Sequence, residues 1–217
     1  MRKIYVSPSL LSADFKCLEK DILSVQNAGA EYLHFDVMDG HFVNNISFGI
    51  PVLKSISGCH NMINDVHIMI EEPLKYAKRF IEAGADILNF HYEACHSKDE
   101  INEIIDLIHS LGKKAGMSIK PNTPVDCALA FMDKLDLFLV MSVEPGFGGQ
   151  AFMPIAIDKI KTLREYIDKN NLKTLIEVDG GINEKTAKLV VEAGVDILVA
   201  GSFVFKGDIK ENIKKLR

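Results

Sequence analysis

The sequence predicts a closed (β/α)8 barrel built as one domain over residues 1–217. Short apolar, β-branched runs alternate along the chain with longer amphipathic ones, bounded by Gly, Pro or Asp. Eight of the short runs occur, and eight βα units in 217 residues suit a closed barrel better than an open doubly wound sheet. Such a sheet has fewer strands and a GxGxxG turn after its first strand, where this chain has SPSLLSADF. Three helix-to-strand junctions also echo one another: AGAEYLHF from Ala28, AGADILNF from Ala83 and AGVDILVA from Ala193.

The elements follow in order. KIYVSPS (3–9) is the first strand, and the amphipathic DFKCLEKDILSVQNA leads from it to YLHFDV (32–37). INDVHIM (63–69) is third, followed by the helical pattern EPLKYAKRFIEA and the fourth strand ILNFH (87–91). KDEINEIIDLIHSL, with apolar residues three and four apart, returns the chain to KAGMSI (114–119). LFLVMSV (137–143) precedes the helix AIDKIKTLREYIDK and the strand TLIEVD (174–179), and NEKTAKLVVEA leads to the eighth strand, DILVAG (196–201). Gly29, Gly84 and Gly194 fit left-handed positions that stop a helix before the next strand.

Composition limits the partners. With 47% hydrophobic residues the chain can bury one large core. Its net charge of −5 leaves no basic excess to neutralise phosphates, which argues against general affinity for nucleic acid or anionic membranes. Cys17, Cys59, Cys95 and Cys127 lie far apart without a CxxC pair and read as reduced thiols of a cytoplasmic protein. The N-terminal apolar run is short and broken by Pro8, unlike a signal peptide, and no run of about 18 apolar residues follows.

Barrel chemistry sits at the C-terminal ends of the strands, and the unusual residues collect there. In YLHFDVM, alternation places His34, Asp36 and Met38 on one face and Leu33, Phe35 and Val37 on the other. Burying an imidazole and a carboxylate is costly unless they pair or bind a metal, so this stretch alone leaves a satisfied polar pair and a site both open. Ser9, His67, Met69, His91, Glu93, Met141 and Asp179 fall at other strand ends. His34, Asp36, His67 and Asp179 together make a mixed nitrogen and oxygen set suited to one divalent ion per subunit, Zn²⁺ first, with Fe²⁺, Mn²⁺ or Co²⁺ also compatible. Met38, Met69 and Met141 fit a water-excluding pocket wall as well as ordinary core.

Three glycine-rich loops complete the picture. EPGFGGQ (144–150) brings Gly146, Phe147, Gly148 and Gly149 after the sixth strand, DGGIN brings Gly180 and Gly181, and AGS brings Gly201 and Ser202. Loops after strands seven and eight are the usual phosphate site of a barrel, with backbone N–H groups turned toward the anion. HYEACH (91–96) offers a rival set of ligands but lacks the HExxH spacing, and is read as supporting structure. Lys120 reads as an ordinary surface or paired lysine. A metal beside a bound ketose phosphate acidifies the neighbouring C–H, and two carboxylates on opposite sides of that carbon, Asp36 and Asp179, would remove a proton from one face and return one to the other.

The motifs SPSLLSADF, LHFDVMDGHFV, ISFG, DVHIMI, FHYEA, KPNTP, VMSVEPGFGGQ, IEVDGGIN and LVAGS, in that order and almost end to end, resemble those of the ribulose-phosphate 3-epimerase family. The resemblance implies a TIM barrel of the ribulose-phosphate binding type. It implies interconversion of D-ribulose 5-phosphate and D-xylulose 5-phosphate in the pentose phosphate pathway, with His34, Asp36, His67 and Asp179 holding the metal. It further implies Asp36 as proton acceptor and Asp179 as donor in one direction, exchanging roles in the other. Ser9 and His67 would contact substrate, the three glycine-rich loops would surround its phosphate, and the chain would assemble as a homo-oligomer, dimer or hexamer. Asn44 departs from the proline common in the family and leaves the ligands untouched. The nearest alternative is allulose-6-phosphate 3-epimerase, with the same ligands on a six-carbon substrate, but LSADF, PGFGGQ, DGGIN and AGS side with the five-carbon enzymes. A non-catalytic sugar-phosphate-binding barrel would have no reason to keep both aspartates with both histidines, and a barrel hydrolase would carry HxH where this chain has VSPS.

Overall fold

Eight strands form at the predicted places in the computed structural model, which describes residues 2–217. They are β1 (Tyr5–Pro8), β2 (Tyr32–Met38), β3 (Ile63–Met69), β4 (Ile87–His91), β5 (Lys114–Ile119), β6 (Leu137–Met141), β7 (Leu175–Asp179) and β8 (Ile197–Ala200). Each boundary lies within two residues of the expectation. All pair in parallel, in the order β1-β8-β7-β6-β5-β4-β3-β2. A bridge between Ser9 and His34 closes the ring between β1 and β2.

The helices are α1 (Leu18–Asn27), α2 (Ile50–Ile56), α3 (Pro73–Glu82), α4 (Lys98–Ser110), α5 (Ile155–Lys169), α6 (Glu184–Ala193), α7 (Ser202–Phe205) and α8 (Ile209–Lys215). Their caps explain several starts: Ser97 accepts from the Glu100 N–H ahead of α4, and Asn183 and Thr186 form a reciprocal capping box on α6. Gly29, Gly84 and Gly194 take positive φ of 92°, 119° and 116°, as the echoing junctions require. Three short helices, α2, α7 and α8, were not expected from periodicity. After β5 the chain makes two 3₁₀ turns, Val125–Cys127 and Leu129–Phe131, instead of an α-helix, because Pro121 and Pro124 interrupt the segment. Among the described residues no helix is long and apolar enough to cross a membrane.

The two faces of each strand do different work. Leu33, Phe35 and Val37 of β2 join a large cluster with Ile22, Leu53, Phe80, Ile104 and Ile160 from the surrounding helices. At about 1.5–3 kcal/mol per fully buried side chain, this shell supplies the main stabilisation. The inner face begins with an apolar plug at the bottom of the barrel, where Tyr32, Ile87, Leu137 and Ile197 pack together. Above it the interior turns polar: Ser7, His34, Asp65, Asn89, Ser118 and Glu177 are all fully buried. A polar layer of this kind costs stability unless its members pair, so it marks where the fold serves the site rather than the core.

Candidate active site

Parallel register assembles the upper end of the barrel. It sets Asp36 of β2 beside His67 of β3, and His34 beside Asp65, all on the inner face. Asp36 Oδ1 lies 3.2 Å from His34 Nε2 and 3.1 Å from His67 Nδ1, and those two nitrogens are 3.3 Å apart. The other oxygen of Asp36 accepts a 2.6 Å hydrogen bond from the Ser9 hydroxyl, delivered by the end of β1. Asp179 arrives at the tip of β7, paired in register with Met141. Its carbonyl accepts from Ser142 N–H at 2.7 Å and from the Ser142 hydroxyl at 2.8 Å, which pins the strand end.

One donor atom from each of His34, Asp36, His67 and Asp179 lies within 4.8 Å of the others. Two imidazole nitrogens and two carboxylate oxygens at that spacing fit a divalent transition metal, with one side open toward the cleft. The electrostatics agree. Burial opposes the charge on Asp36, yet His34 and His67 outweigh it and hold this carboxyl far below the usual carboxylate range. Asp179 goes the other way: burial, then the nearby Asp36 charge, push it up to about 7. His34 is held well above the ordinary imidazole range because Asp36 and Asp65 outweigh its burial.

A pH dependence follows from these shifts. A cation needs bare donors, while Asp179 and His34 both retain protons in the metal-free protein to a higher pH than free side chains would. Metal affinity is therefore expected to fall by about tenfold or more per unit as pH drops below about 7, with proton release on binding. Calorimetric titration in buffers of different ionisation heat measures both quantities; an affinity unchanged from about pH 8 to about pH 6 would contradict the assignment.

Asp36 and Asp179 open onto a cleft, together with Ser9 and the three methionines Met38, Met69 and Met141. Its rim carries Gly146, Phe147, Gly148 and Gly149 after β6, Gly180 and Gly181 after β7, and Gly201 and Ser202 after β8. All of these sequence-predicted residues thus meet at one mouth. His34 and His67 belong to the same group but are wholly buried and outside the cleft lining, in contact with Asp36, which does line it. Met38 and Met69 pack with Val43 against Phe42 and Leu11, forming an apolar wall, whereas Met141 tops the plug inside the barrel. Asn45 Nδ2 donates to the Gly146 carbonyl at 2.7 Å, tying the loop after β2 to the loop after β6. Lys120 places its ammonium 4.1 Å from the Phe42 ring centroid.

Two residues escaped the sequence reading. Asp65 Oδ2 accepts from His34 Nδ1 at 2.5 Å, which leaves Nε2 for the donor set, and Glu177 sits 4.0 Å from the same nitrogen. Neither Glu177 oxygen has a hydrogen-bond partner among the described residues, and burial and the Asp65 charge raise its carboxyl well above the ordinary value. His34, Asp65 and Glu177 form a second, fully enclosed group of potential ligands that shares His34 with the first. Parity could have found both residues, since each lies two positions before a predicted ligand on the same strand face.

Fold and site together define a (β/α)8-barrel protein whose mouth joins a metal-fitting set of two histidines and two aspartates to a glycine-rimmed cleft. The chain belongs to the ribulose-phosphate 3 epimerase family, whose family model matches residues 5–205. It is 47% identical over 216 residues to the ribulose-phosphate 3-epimerase of Bacillus subtilis (strain 168), covering 99% of this chain and 98% of that protein. It is 45% identical to the enzyme of the same name from Synechocystis sp., covering 94% and 88%. Among solved structures, the 3-keto-L-gulonate-6-phosphate decarboxylase of Vibrio cholerae superposes with a TM-score of 0.70 at 14% identity, over 100% of this chain and 96% of that one. That last likeness concerns the barrel alone.

Proposed function

We propose that the protein is a metal-dependent 3-epimerase that interconverts D-ribulose 5-phosphate and D-xylulose 5-phosphate by moving protons at C3. The observation that carries this reading is the meeting of two carboxyls from separate strands at one cleft floor. Asp36 and Asp179 both line that floor and both belong to the donor set, yet they stand three strands apart through β1 and β8, so they approach a bound substrate from different sides. Two carboxyls so placed are suited to act as base and acid on opposite faces of one carbon.

A divalent ion, Zn²⁺ first among candidates, would be held by His34, Asp36, His67 and Asp179 and would stabilise the negative charge that develops on the substrate's oxygens. Asp36 takes the C3 proton with one oxygen, the one steered by Ser9, while its other oxygen faces the imidazoles. Asp179 supplies a proton to the opposite face of the flat enediolate. Inversion results, and in the reverse direction the two aspartates exchange roles. The thioether and methyl surfaces of Met38, Met69 and Met141 exclude water, which preserves the enediolate and strengthens the charge interactions around it.

The phosphate end lies among Gly146 to Gly149, Gly180, Gly181, Gly201 and Ser202, where backbone N–H groups replace basic side chains. Gly181 has φ of 64°, and a Cβ there would come within 2.5 Å of the Phe152 nitrogen. Gly181→Ala is therefore expected to lower kcat/KM by about tenfold to a hundredfold through about 1–3 kcal/mol of backbone strain. Inhibition by inorganic phosphate should weaken in parallel; unchanged phosphate inhibition would remove this loop from the site.

We further read the chain as one barrel domain that works in the reducing cytoplasm, in the pentose phosphate pathway, as a homo-oligomer. A coupled assay on ribulose 5-phosphate, with metal analysis of the purified protein, tests the function. Turnover should exceed that on allulose 6-phosphate, and absence of turnover on the pentose phosphate overturns the reading.

A further inference from the structure

A line of polar groups runs sideways from the donor set and takes no part in the proton transfer described above. His67 Nε2 lies 2.9 Å from His91 Nε2, and His91 Nδ1 lies 3.2 Å from Glu93 Oε2. The other Glu93 oxygen accepts from the Lys120 N–H at 2.7 Å and from the Thr123 hydroxyl. His91 is fully buried and packs against Phe42 with ring centroids 4.8 Å apart and planes tilted by 44°. The geometry is set by a local break: β4 ends at His91, and the 3₁₀ turn Tyr92–Ala94 folds Glu93 back beneath the imidazole. Opposite this line, His67 turns Nδ1 toward Asp36 Oδ1 and His34 Nε2.

We infer that His91 and Glu93 are positioning residues that hold His67 in its ligating tautomer, protonated on Nε2 and bare on Nδ1. The inference rests on the reading of His67 as a metal ligand through Nδ1. A ligating imidazole must present a lone pair to the cation, and the hydrogen bond of its other nitrogen selects that state. Two imidazole nitrogens facing each other need one donor and one acceptor. If His67 donates Nε2–H to His91, then His91 carries its own proton on Nδ1, where it meets the Glu93 carboxylate, an acceptor only. Every donor in the line then faces an acceptor.

With an ion held by the four donors, the opposite arrangement fails at both ends. It sets a bare His91 Nδ1 against a carboxylate oxygen 3.2 Å away, and it moves the His67 proton onto Nδ1, among the metal donors. Glu93 cannot relieve the first conflict by turning, because Lys120 N–H and Thr123 hold its far oxygen. The choice of tautomer is thus fixed at the Glu93 carboxylate and transmitted through two rings.

Glu93→Gln is the sharpest test. With its oxygen kept on Lys120 N–H, glutamine points an NH₂ at His91 Nδ1, which must then accept, and both rings reverse. Zn²⁺ affinity, measured by competition with a chromogenic chelator, should fall by about 10- to 100-fold while circular dichroism stays unchanged. Glu93→Asp, which keeps a carboxylate, should recover part of that loss; a packing role alone would not distinguish the two variants in this way. Ring ¹⁵N spectra of the zinc-loaded wild type give a readout that needs no variant, with His91 expected to carry its proton on Nδ1. A His91 proton on Nε2, or wild-type Zn²⁺ affinity in folded Glu93→Gln, overturns the inference. His67→Ala separates the layers: if it binds Zn²⁺ normally, the ligand reading fails, whereas weak binding there with normal binding in Glu93→Gln sinks only the relay.

Discussion

Asp36→Asn and Asp179→Asn are each expected to abolish epimerisation, with kcat lowered by about 10³- to 10⁴-fold, while the barrel still folds. Asparagine at position 36 can keep its carbonyl toward the imidazoles and turn its amide to the Ser9 hydroxyl, which is free to accept instead of donate. Asp179 is anchored by its backbone carbonyl, so its side chain can change without unpinning the strand. The two variants should also differ from each other. Each retains one base, and so each should exchange the C3 hydrogen of one epimer with solvent without inverting it, Asp36→Asn acting on one epimer and Asp179→Asn on the other. Because both residues belong to the donor set, metal content must be matched before rates are compared. Near wild-type turnover in both variants would remove the two-base account.

Chelation should have an effect of similar size. An ordinary aspartate, with a pKa of about 3.9, is a weak base for a carbon acid, and the gap narrows only when charge on the enediolate is stabilised. Dialysis against a strong chelator is therefore expected to lower activity by at least about 10³-fold, with recovery on adding back a divalent ion. Full activity in protein verified as metal-free would refute the role given to the four donors.

Much of this was legible in the sequence, for physical reasons. A strand buried on both sides announces itself as a short apolar run between turn residues, which is why ILNFH and INDVHIM were placed to the residue. His34 and Asp36 stood out because period-two alternation put charge where only core should be. Helices α2, α7 and α8 span seven, four and seven residues, about two turns or fewer, too few to establish a helical period. Asp65 and Glu177 were missed although they share a face with the predicted ligands, because they lie one layer below the strand ends where barrel chemistry is sought. The contact between His91 and Glu93 depends on a 3₁₀ turn that replaces the last turn of strand-like sequence, and no periodicity records it. Asp39 accepts from the N–H groups of His41, Phe42 and Glu71, and so fastens the loop after β2 to the end of β3, a role that its place in the sequence does not reveal.

The central claim is that two different aspartates handle the proton at C3, one on each face. Proton NMR of ribulose 5-phosphate incubated in D₂O with the metal-loaded protein tests it most directly. The account predicts that xylulose 5-phosphate appears with deuterium at C3 from the first turnover, since its proton comes from the solvent-equilibrated acid. Xylulose 5-phosphate that retains the original C3 hydrogen, or no xylulose 5-phosphate at all, would contradict it.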